Sequence, residues 1–186
     1  MTAEGGTLTT ERLVLRAPVR SDVGRIAQFA GDFEVARMTA RIPYPYGLAD
    51  AEAWLDMVEA EGGAFAITRE DEFIGCCGFA PLDAHAAEIG YWIGRPWWGQ
   101  GLGTEAVRAL VAYAFASDPV RRRLVASRFA DNPASGRVLE KAGFRSTGET
   151  EHFCAARGAN VPAITYVCRR PGLAARARRW LGEFAS

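Results

Sequence analysis

The stretch YWIGRPWWGQGLGTEA, Tyr91 to Ala106, runs from an aromatic strand through a proline into a glycine-rich turn and on into a good helix former. Gly99, Gly101 and Gly103 strip side chains from the backbone where that helix begins, so its unpaired N–H groups and the positive end of its dipole can face an anion closely. The ligand this turn suits carries phosphate. Two common phosphate loops do not fit. A nucleoside triphosphate loop ends in Gly-Lys-Ser/Thr, whereas Gly103 is followed by Thr104 and Glu105. A dinucleotide fingerprint starting at Gly99 and Gly101 wants its third glycine where Thr104 stands, and Arg121 to Arg123 occupy the region where an acidic ribose ligand is expected.

What remains resembles the pyrophosphate loop of the GNAT family of acetyl-coenzyme A dependent N-acetyltransferases, whose pattern is Gln/Arg-x-x-Gly-x-Gly/Ala. Trp98 to Gly103 fits it from the fourth position onward, with Trp98 in place of the usual Gln or Arg. The strand Glu88 to Trp92 and the turn and helix start Trp97 to Ala106 are similar to the RimJ/RimL-like subgroup. So are Thr10 to Arg16, Asn132 to Ser135 and Leu139 to Phe144, in the same order along the chain. The resemblance spans residues 8–170 and implies one GNAT domain there: an α+β fold with a mixed, mostly antiparallel sheet flanked by helices, whose fourth and fifth strands splay apart.

It also implies a site. The cofactor contacts fall on Tyr91, Ile93, Trp98, Gly99, Gln100, Gly101, Leu102, Gly103, Thr104, Asn132 and Ser135, with acetyl-coenzyme A as cosubstrate. At Tyr91 and Ile93 the main chain is expected to matter more than the side chain, and the Ile93 N–H is the candidate to polarise the thioester carbonyl. The implied reaction is direct attack of a neutral primary amine, through a tetrahedral oxyanion, with the coenzyme thiolate leaving. Glu88 is the candidate base, and Ser135 the candidate donor to the departing sulfur, because Leu139 stands where many members carry tyrosine. Counting back from the glycines places the usual glutamate at Ala87. One residue on a strand reverses the side chain, so Glu88 faces the acetyl group only if a bulge intervenes. An acceptor that is a small amine or a protein N-terminus fits this chemistry. A coenzyme-binding sensor with weak catalysis is the alternative, motivated by Leu139 and by the face of Glu88.

The rest of the chain sets limits. Its 186 residues, 49% hydrophobic with a formal net charge of +0, suit one globular domain with a sizeable core and not a broad nucleic-acid footprint. Arg121 to Arg123 form a local basic cluster, either a solvated face or a contact for adenosine phosphates. The cysteines Cys76, Cys77, Cys154 and Cys168 lack metal-ligand spacing, and adjacent Cys76 and Cys77 on a strand point to opposite faces; no metal is expected. No apolar run approaches the ~20 residues that cross a bilayer, so no membrane partner and a cytoplasmic setting are expected. His85 and His152 read as surface residues, and a monomer or homodimer is expected.

Hydrophobic spacing predicts a strand over Leu8–Arg16, helices near Val23–Ala30, Asp32–Met38 and Asp50–Glu61, and a hairpin of Ala64–Thr68 with Phe73–Phe79. A strand over Ala86–Gly94 and a helix over Leu102–Ala116 follow. Beyond them come a strand at Leu124–Phe129, a helix at Pro133–Ala142, and strands at Phe144–Thr147 and Ala163–Arg169. Asn132 before Pro133 is a helix start signal. Tyr44, Tyr46 and a loop over Phe153–Pro162 are expected around the acceptor entrance. Leu173, Ala177, Trp180, Leu181 and Phe184 recur at helical spacing, which predicts an amphipathic helical extension over 171–186.

Overall fold

The computed structural model describes residues 3–4 and 6–171. The extension predicted over 171–186 falls, beyond Pro171, outside the described residues. Along the chain come β1 (Ala3–Glu4), β2 (Thr7–Thr9), β3 (Val14–Arg16), α1 (Val23–Ala30), α2 (Phe33–Ala36), α3 (Leu48–Glu61), β4 (Ala64–Arg69), β5 (Glu72–Asp83) and β6 (Ala86–Ile93). They are followed by α4 (Leu102–Ala116), β7 (Arg123–Phe129), α5 (Pro133–Lys141), β8 (Arg145–Cys154) and β9 (Ala159–Arg169). The strands form one sheet in the order β1-β2-β3-β4-β5-β6-β7-β9-β8. Only β6 and β7 pair in parallel; the other neighbours are antiparallel. Hairpins joined through one crossover make this α+β and not doubly wound.

Period-2 alternation sends the two faces of the sheet into separate cores. Cys77, Ala87, Ile89, Ile93, Leu124 and Tyr166 pack with α4, whose Leu102, Ala106, Val107 and Leu110 are buried. Each fully buried leucine there contributes about 1.5–3 kcal/mol. Cys76, Phe73 and Ala66 lie on the opposite face with Val23, Ile26 and Phe29 of α1 and Leu55 of α3. Neighbouring Cys76 and Cys77 thus face opposite ways as their spacing predicts, and burial raises both thiol pKa values.

Several boundaries differ from the sequence expectation. Leu8–Arg16 is not one strand but a hairpin, because Thr10 turns the chain: its Oγ1 accepts from Leu13 N–H at 3.0 Å, while Thr10 N–H donates to the Leu13 carbonyl at 2.9 Å. The β4–β5 turn is tightened to Glu70 and Asp71, both at positive φ, so that Arg69 pairs with Glu72. The expected loop over Phe153–Pro162 is mostly strand, since β8 and β9 pair as far as Cys154 and Ala159. Its tip is held by Ala155 N–H donating to the Ala40 carbonyl at 3.0 Å.

The expected splay is present. β6 pairs with β7 only from Ala86 to Glu88, against Arg123 to Val125, and beyond Glu88 the two strands part. β6 stays paired with β5 up to Ile93, and β7 with β9 up to Phe129, so the gap has an intact strand on each side.

Candidate functional site

Local strand geometry decides what lines that gap. Gly94 N–H donates to the Ile74 carbonyl of β5 at 2.8 Å. Backbone direction alternates along a strand, so the N–H and C=O groups of Ile93 and Tyr91 turn the other way, into the gap. The Ile93 carbonyl is met there by the Trp98 indole N–H at 2.6 Å, which fixes the same direction independently. Trp98, the residue that departs from the usual loop pattern, thereby ties the end of the strand to the start of the loop.

The loop then reaches α4 through two left-handed residues, Gly99 at φ 76° and Gly101 at φ 79°. A side chain at either strains the backbone, so glycine is the residue these positions need. Gly101 caps α4 without a side-chain bond. The first intrahelical bond runs from Glu105 N–H to the Gly101 carbonyl at 3.2 Å, and the main-chain N–H groups from Gly99 to Thr104 donate to no acceptor among the described residues. These donors, with the helix dipole behind them, form an anion cradle. It sits directly beyond the gap: a Cβ on Gly103 would lie 3.8 Å from Ile93 Cγ1 and 3.8 Å from Val138 Cγ2 of α5.

On the α4 side of the gap the structure brings Tyr91, Asn132 and Ser135 together. Asn132 Oδ1 accepts from Ser135 N–H at 3.1 Å and so starts α5, as the Asn-Pro pair predicts. Tyr91 OH lies 2.7 Å from Ser135 Oγ and 3.1 Å from the Ser135 carbonyl. Burial pushes the Tyr91 pKa up to about 12, so its phenol keeps its proton at neutral pH. At Tyr91 the main chain is expected to matter more than the side chain; the side chain nonetheless bridges β6 to α5. Leu139 is fully buried among the α4 core and brings no hydroxyl. Gly136 lets Arg128 and Tyr166 approach α5, since a Cβ there would stand 2.6 Å from Arg128 Nε and 3.0 Å from Tyr166 OH.

Glu88 lies elsewhere. Register shifts in the β5–β6 pair fall before it, between Pro81 and Asp83, and none follows it, so Ala87, Ile89, Tyr91 and Ile93 share the α4 face while Glu88 and Trp92 share the other. Glu88 is half-exposed, with Arg41 NH2 at 3.7 Å from its carboxylate. Ser135 and Glu88 are therefore on opposite sides of the sheet at the gap. Tyr44, on the face of α1 to α3, is exposed against Phe33, with ring centroids 5.0 Å apart. Tyr46 is half-buried, and its burial raises its pKa to about 12.

Residues outside the pattern complete the loop. Arg12 NH1 donates to the Gln100 carbonyl at 3.1 Å, and Arg69 NH1 donates to Gln100 Oε1 at 3.1 Å. Gln100 Nε2 donates to the Pro96 carbonyl at 3.1 Å. Glu105 turns back to the β2–β3 hairpin, where it accepts from Thr10 Oγ1 at 2.6 Å, Arg12 N–H at 2.8 Å and Arg12 Nε at 2.8 Å. Burial pushes the Glu105 carboxyl up, and the bonds from Thr10 and Arg12 outweigh it, holding the pKa below the ordinary value. The only sequence signal for these contacts was the Thr10–Arg16 motif, which carried no role.

The Arg121–Arg123 cluster is not at the Gly99–Thr104 end of α4. It follows the other end of α4, a helix of 15 residues that spans ~22 Å. Arg121 is buried, donates to the Ala114 carbonyl, pairs with Asp118 at 3.3 Å and lies 4.8 Å from the Phe79 ring centroid. Arg123 pairs with Asp83 at 2.6 Å. Of the histidines, His85 is exposed, while His152 departs from the surface reading: its Nε2 is buried, with no partner among the described residues. No helix among the described residues is long and apolar enough to cross a membrane.

Comparison with known proteins agrees with this geometry. Residues 12–145 match the model of the acetyltransferase (GNAT) domain. The uncharacterized N-acetyltransferase p20 of Bacillus licheniformis is 33% identical over 161 residues, covering 82% of this chain and 89% of its own. The [ribosomal protein uS5]-alanine N-acetyltransferase of Escherichia coli is 29% identical over 160 residues, covering 78% and 81%. Among solved structures, RimL, a ribosomal L7/L12 alpha-N-protein acetyltransferase in complex with coenzyme A, is similar with a TM-score of 0.75 at 22% identity. It covers 88% of this chain and 97% of its own.

Proposed function

We propose that this chain, which belongs to the acetyltransferase (GNAT) domain family, transfers an acetyl group from acetyl-coenzyme A to a primary amine by direct attack. The observation that carries the reading is the parting of β6 and β7 after Glu88, which opens a lane of unpaired backbone ending at the donors of Gly99 to Thr104. The residues fit the cosubstrate at both ends. The cradle suits its diphosphate, and the Ile93 and Tyr91 main chain suits the amide-bearing arm that runs to the thioester.

Acetyl-coenzyme A supplies the activated acetyl group; the chain supplies position and protons. The Ile93 N–H is aimed where negative charge develops on the carbonyl oxygen. Ser135 Oγ, 2.7 Å from the Tyr91 phenol, turns its proton to the leaving sulfur as the thiolate departs; the conjugate thiol has a pKa of ~8.5. Glu88 lies on the far face, with no bulge to turn it toward the acetyl group, and takes the proton of the attacking nitrogen through water. Attack from one face and departure toward the other suits a thioester lodged between them.

Only a neutral amine attacks. A lysine amine with pKa ~10.4 is almost wholly charged at neutral pH, whereas a peptide α-amine near ~7.7–8.0 supplies neutral nitrogen unaided. A single half-exposed carboxylate as base favours the α-amine of a protein N-terminus, or a small amine of similar basicity. Similarity to a ribosomal-protein alanine N-acetyltransferase supports the same class. The alternative reading, a coenzyme-binding sensor, is favoured by two observations, the buried Leu139 in place of a phenol and the far face of Glu88. A thiol-release assay over peptides and small amines separates them: turnover with an α-amine acceptor is expected, and tight acetyl-coenzyme A binding with no turnover on any acceptor would establish the sensor.

A further inference from the structure

Glu105 poses an electrostatic problem. It stands in the first turn of α4, where the helix dipole favours a carboxylate and where its oxygens can fold back onto the same N–H groups that a diphosphate needs. A free carboxylate there both competes for the donors and repels the ligand. The Gln100 carbonyl, inside the loop, is a second source of negative potential. Both are engaged by one side chain from near the start of the sequence.

Arg12 sits at the tip of the β2–β3 hairpin. Its Nε donates to Glu105 Oε2 at 2.8 Å, its NH2 lies 2.7 Å from the same carboxylate oxygen, and its NH1 donates to the Gln100 carbonyl at 3.1 Å. Its own N–H donates to Glu105 Oε1 at 2.8 Å, and Thr10 Oγ1 adds a bond to that oxygen at 2.6 Å. The guanidinium also comes close to the bend itself, since a Cβ on Gly101 would lie 3.6 Å from Arg12 NH2. Each nitrogen of the fork contacts either the acid or the loop carbonyl. The tight turn that breaks the expected Leu8–Arg16 strand delivers Arg12 to this position.

We infer that Arg12 is a positioning residue for the donor's diphosphate: it holds the Glu105 carboxylate and the Gln100 carbonyl away from the main-chain donors of Gly99 to Thr104 and cancels their charge. This rests on the acetyl-coenzyme A reading above. Arg12 acts through Glu105, so the two residues are coupled in ligand affinity and not only in stability. Lysine is a poor substitute, because a single ammonium cannot span a carboxylate and a carbonyl in fixed geometry.

The test is a double-mutant cycle read by calorimetric titration with coenzyme A, using wild type, Arg12→Ala, Glu105→Gln and the double variant. Arg12→Ala is expected to weaken coenzyme A binding about tenfold. In the Glu105→Gln background the same change is expected to cost less than about threefold, because the carboxylate it screened is gone. In steady-state assays Arg12→Ala is expected to raise KM for acetyl-coenzyme A in step, with kcat within about twofold of wild type. An equal loss in both backgrounds, or no loss at all, overturns the inference. Should Arg12→Ala fail to fold, Arg12→Gln, which keeps a donor for the loop carbonyl but leaves the Glu105 charge without its guanidinium, carries the same expectation. A wild-type protein that takes up no coenzyme A sinks the functional reading itself, a result distinct from binding that ignores Arg12.

Discussion

At its C-terminal end α4 uses two arginines to close its carbonyls, whereas at its N-terminal end the donors of Gly99 to Thr104 are given no acceptor by the described residues. Arg121 donates to the Ala114 carbonyl, and Arg170 donates to those of Phe115 and Asp118. Stacking of Arg121 over Phe79 and of Arg170 over Phe115 seals that end further. Helix ends leave unpaired polar groups by construction, and a fold that only needs stability pairs them. One end of α4 follows that rule. The other breaks it where Gly101 stands at the cap with no side chain to offer, and Arg12 holds the nearest acid. The difference is the one the proposed function requires between a terminus that only holds the fold and one that takes a ligand.

Substitutions at the two ends should therefore fail differently. The largest effect is expected at Gly101. At φ 79° a β-branched residue is strained, and Gly101→Val should weaken coenzyme A binding by more than ~100-fold, about 2.7 kcal/mol, as measured by calorimetry. Retained affinity would mean that the bend does not hold the diphosphate. At the opposite end, Arg121→Ala should lower stability by about 2 kcal/mol through its lost carbonyl and Asp118 bonds, a fall in Tm of about 4–8 °C. Coenzyme A affinity should stay within about twofold; a large loss of affinity there would erase the distinction between the ends.

Ser135→Ala sharpens the comparison within the functional end by separating grip from chemistry. Its kcat should fall about 10- to 30-fold while KM for acetyl-coenzyme A changes less than about twofold, and the loss should shrink with thioester analogues whose thiols are more acidic. The smallest effect concerns pH. The folded pKa of Glu105 lies below its ordinary value, so its contribution to stability is complete above the unfolded pKa near ~4.3 and is lost as pH falls through the lower folded value. Thermal melts from pH 5 downward should show a shallower acid decline for Glu105→Gln than for wild type.

Much of the functional end was legible because its requirements are local. Glycines at fixed spacing, Asn132 before Pro133 and the apolar stripe of Leu102, Ala106 and Leu110 each report a backbone or packing need within one turn or one helix. The splay was legible only through family resemblance, since the parting of β6 and β7 is set by long-range pairing. What escaped the sequence was likewise non-local. Thr10 closes a hairpin inside an apparently continuous strand because its hydroxyl replaces a ladder bond, and Arg12 meets Glu105 across 93 positions. The Tyr91 phenol reaches Ser135 across 44. Glu70 and Asp71 adopt a glycine-like turn without glycine, and β8 and β9 extend into Phe153–Pro162, where Gly158, Asn160 and Pro162 read as loop. Arg121 looked like a solvated charge because nothing in its neighbourhood along the chain announces the Phe79 ring or the end of α4.

The most direct measurement is an amide NMR titration of the isotope-labelled protein with coenzyme A, comparing the two ends of α4 in one experiment. The N–H signals of Gly99, Gly101, Leu102, Gly103 and Thr104 should move downfield and saturate together, while those of Ser117 to Arg121 stay in place. Loop signals that do not respond while coenzyme A binds, or shifts gathered at the Arg121 end, would contradict the assignment of these donors to the diphosphate.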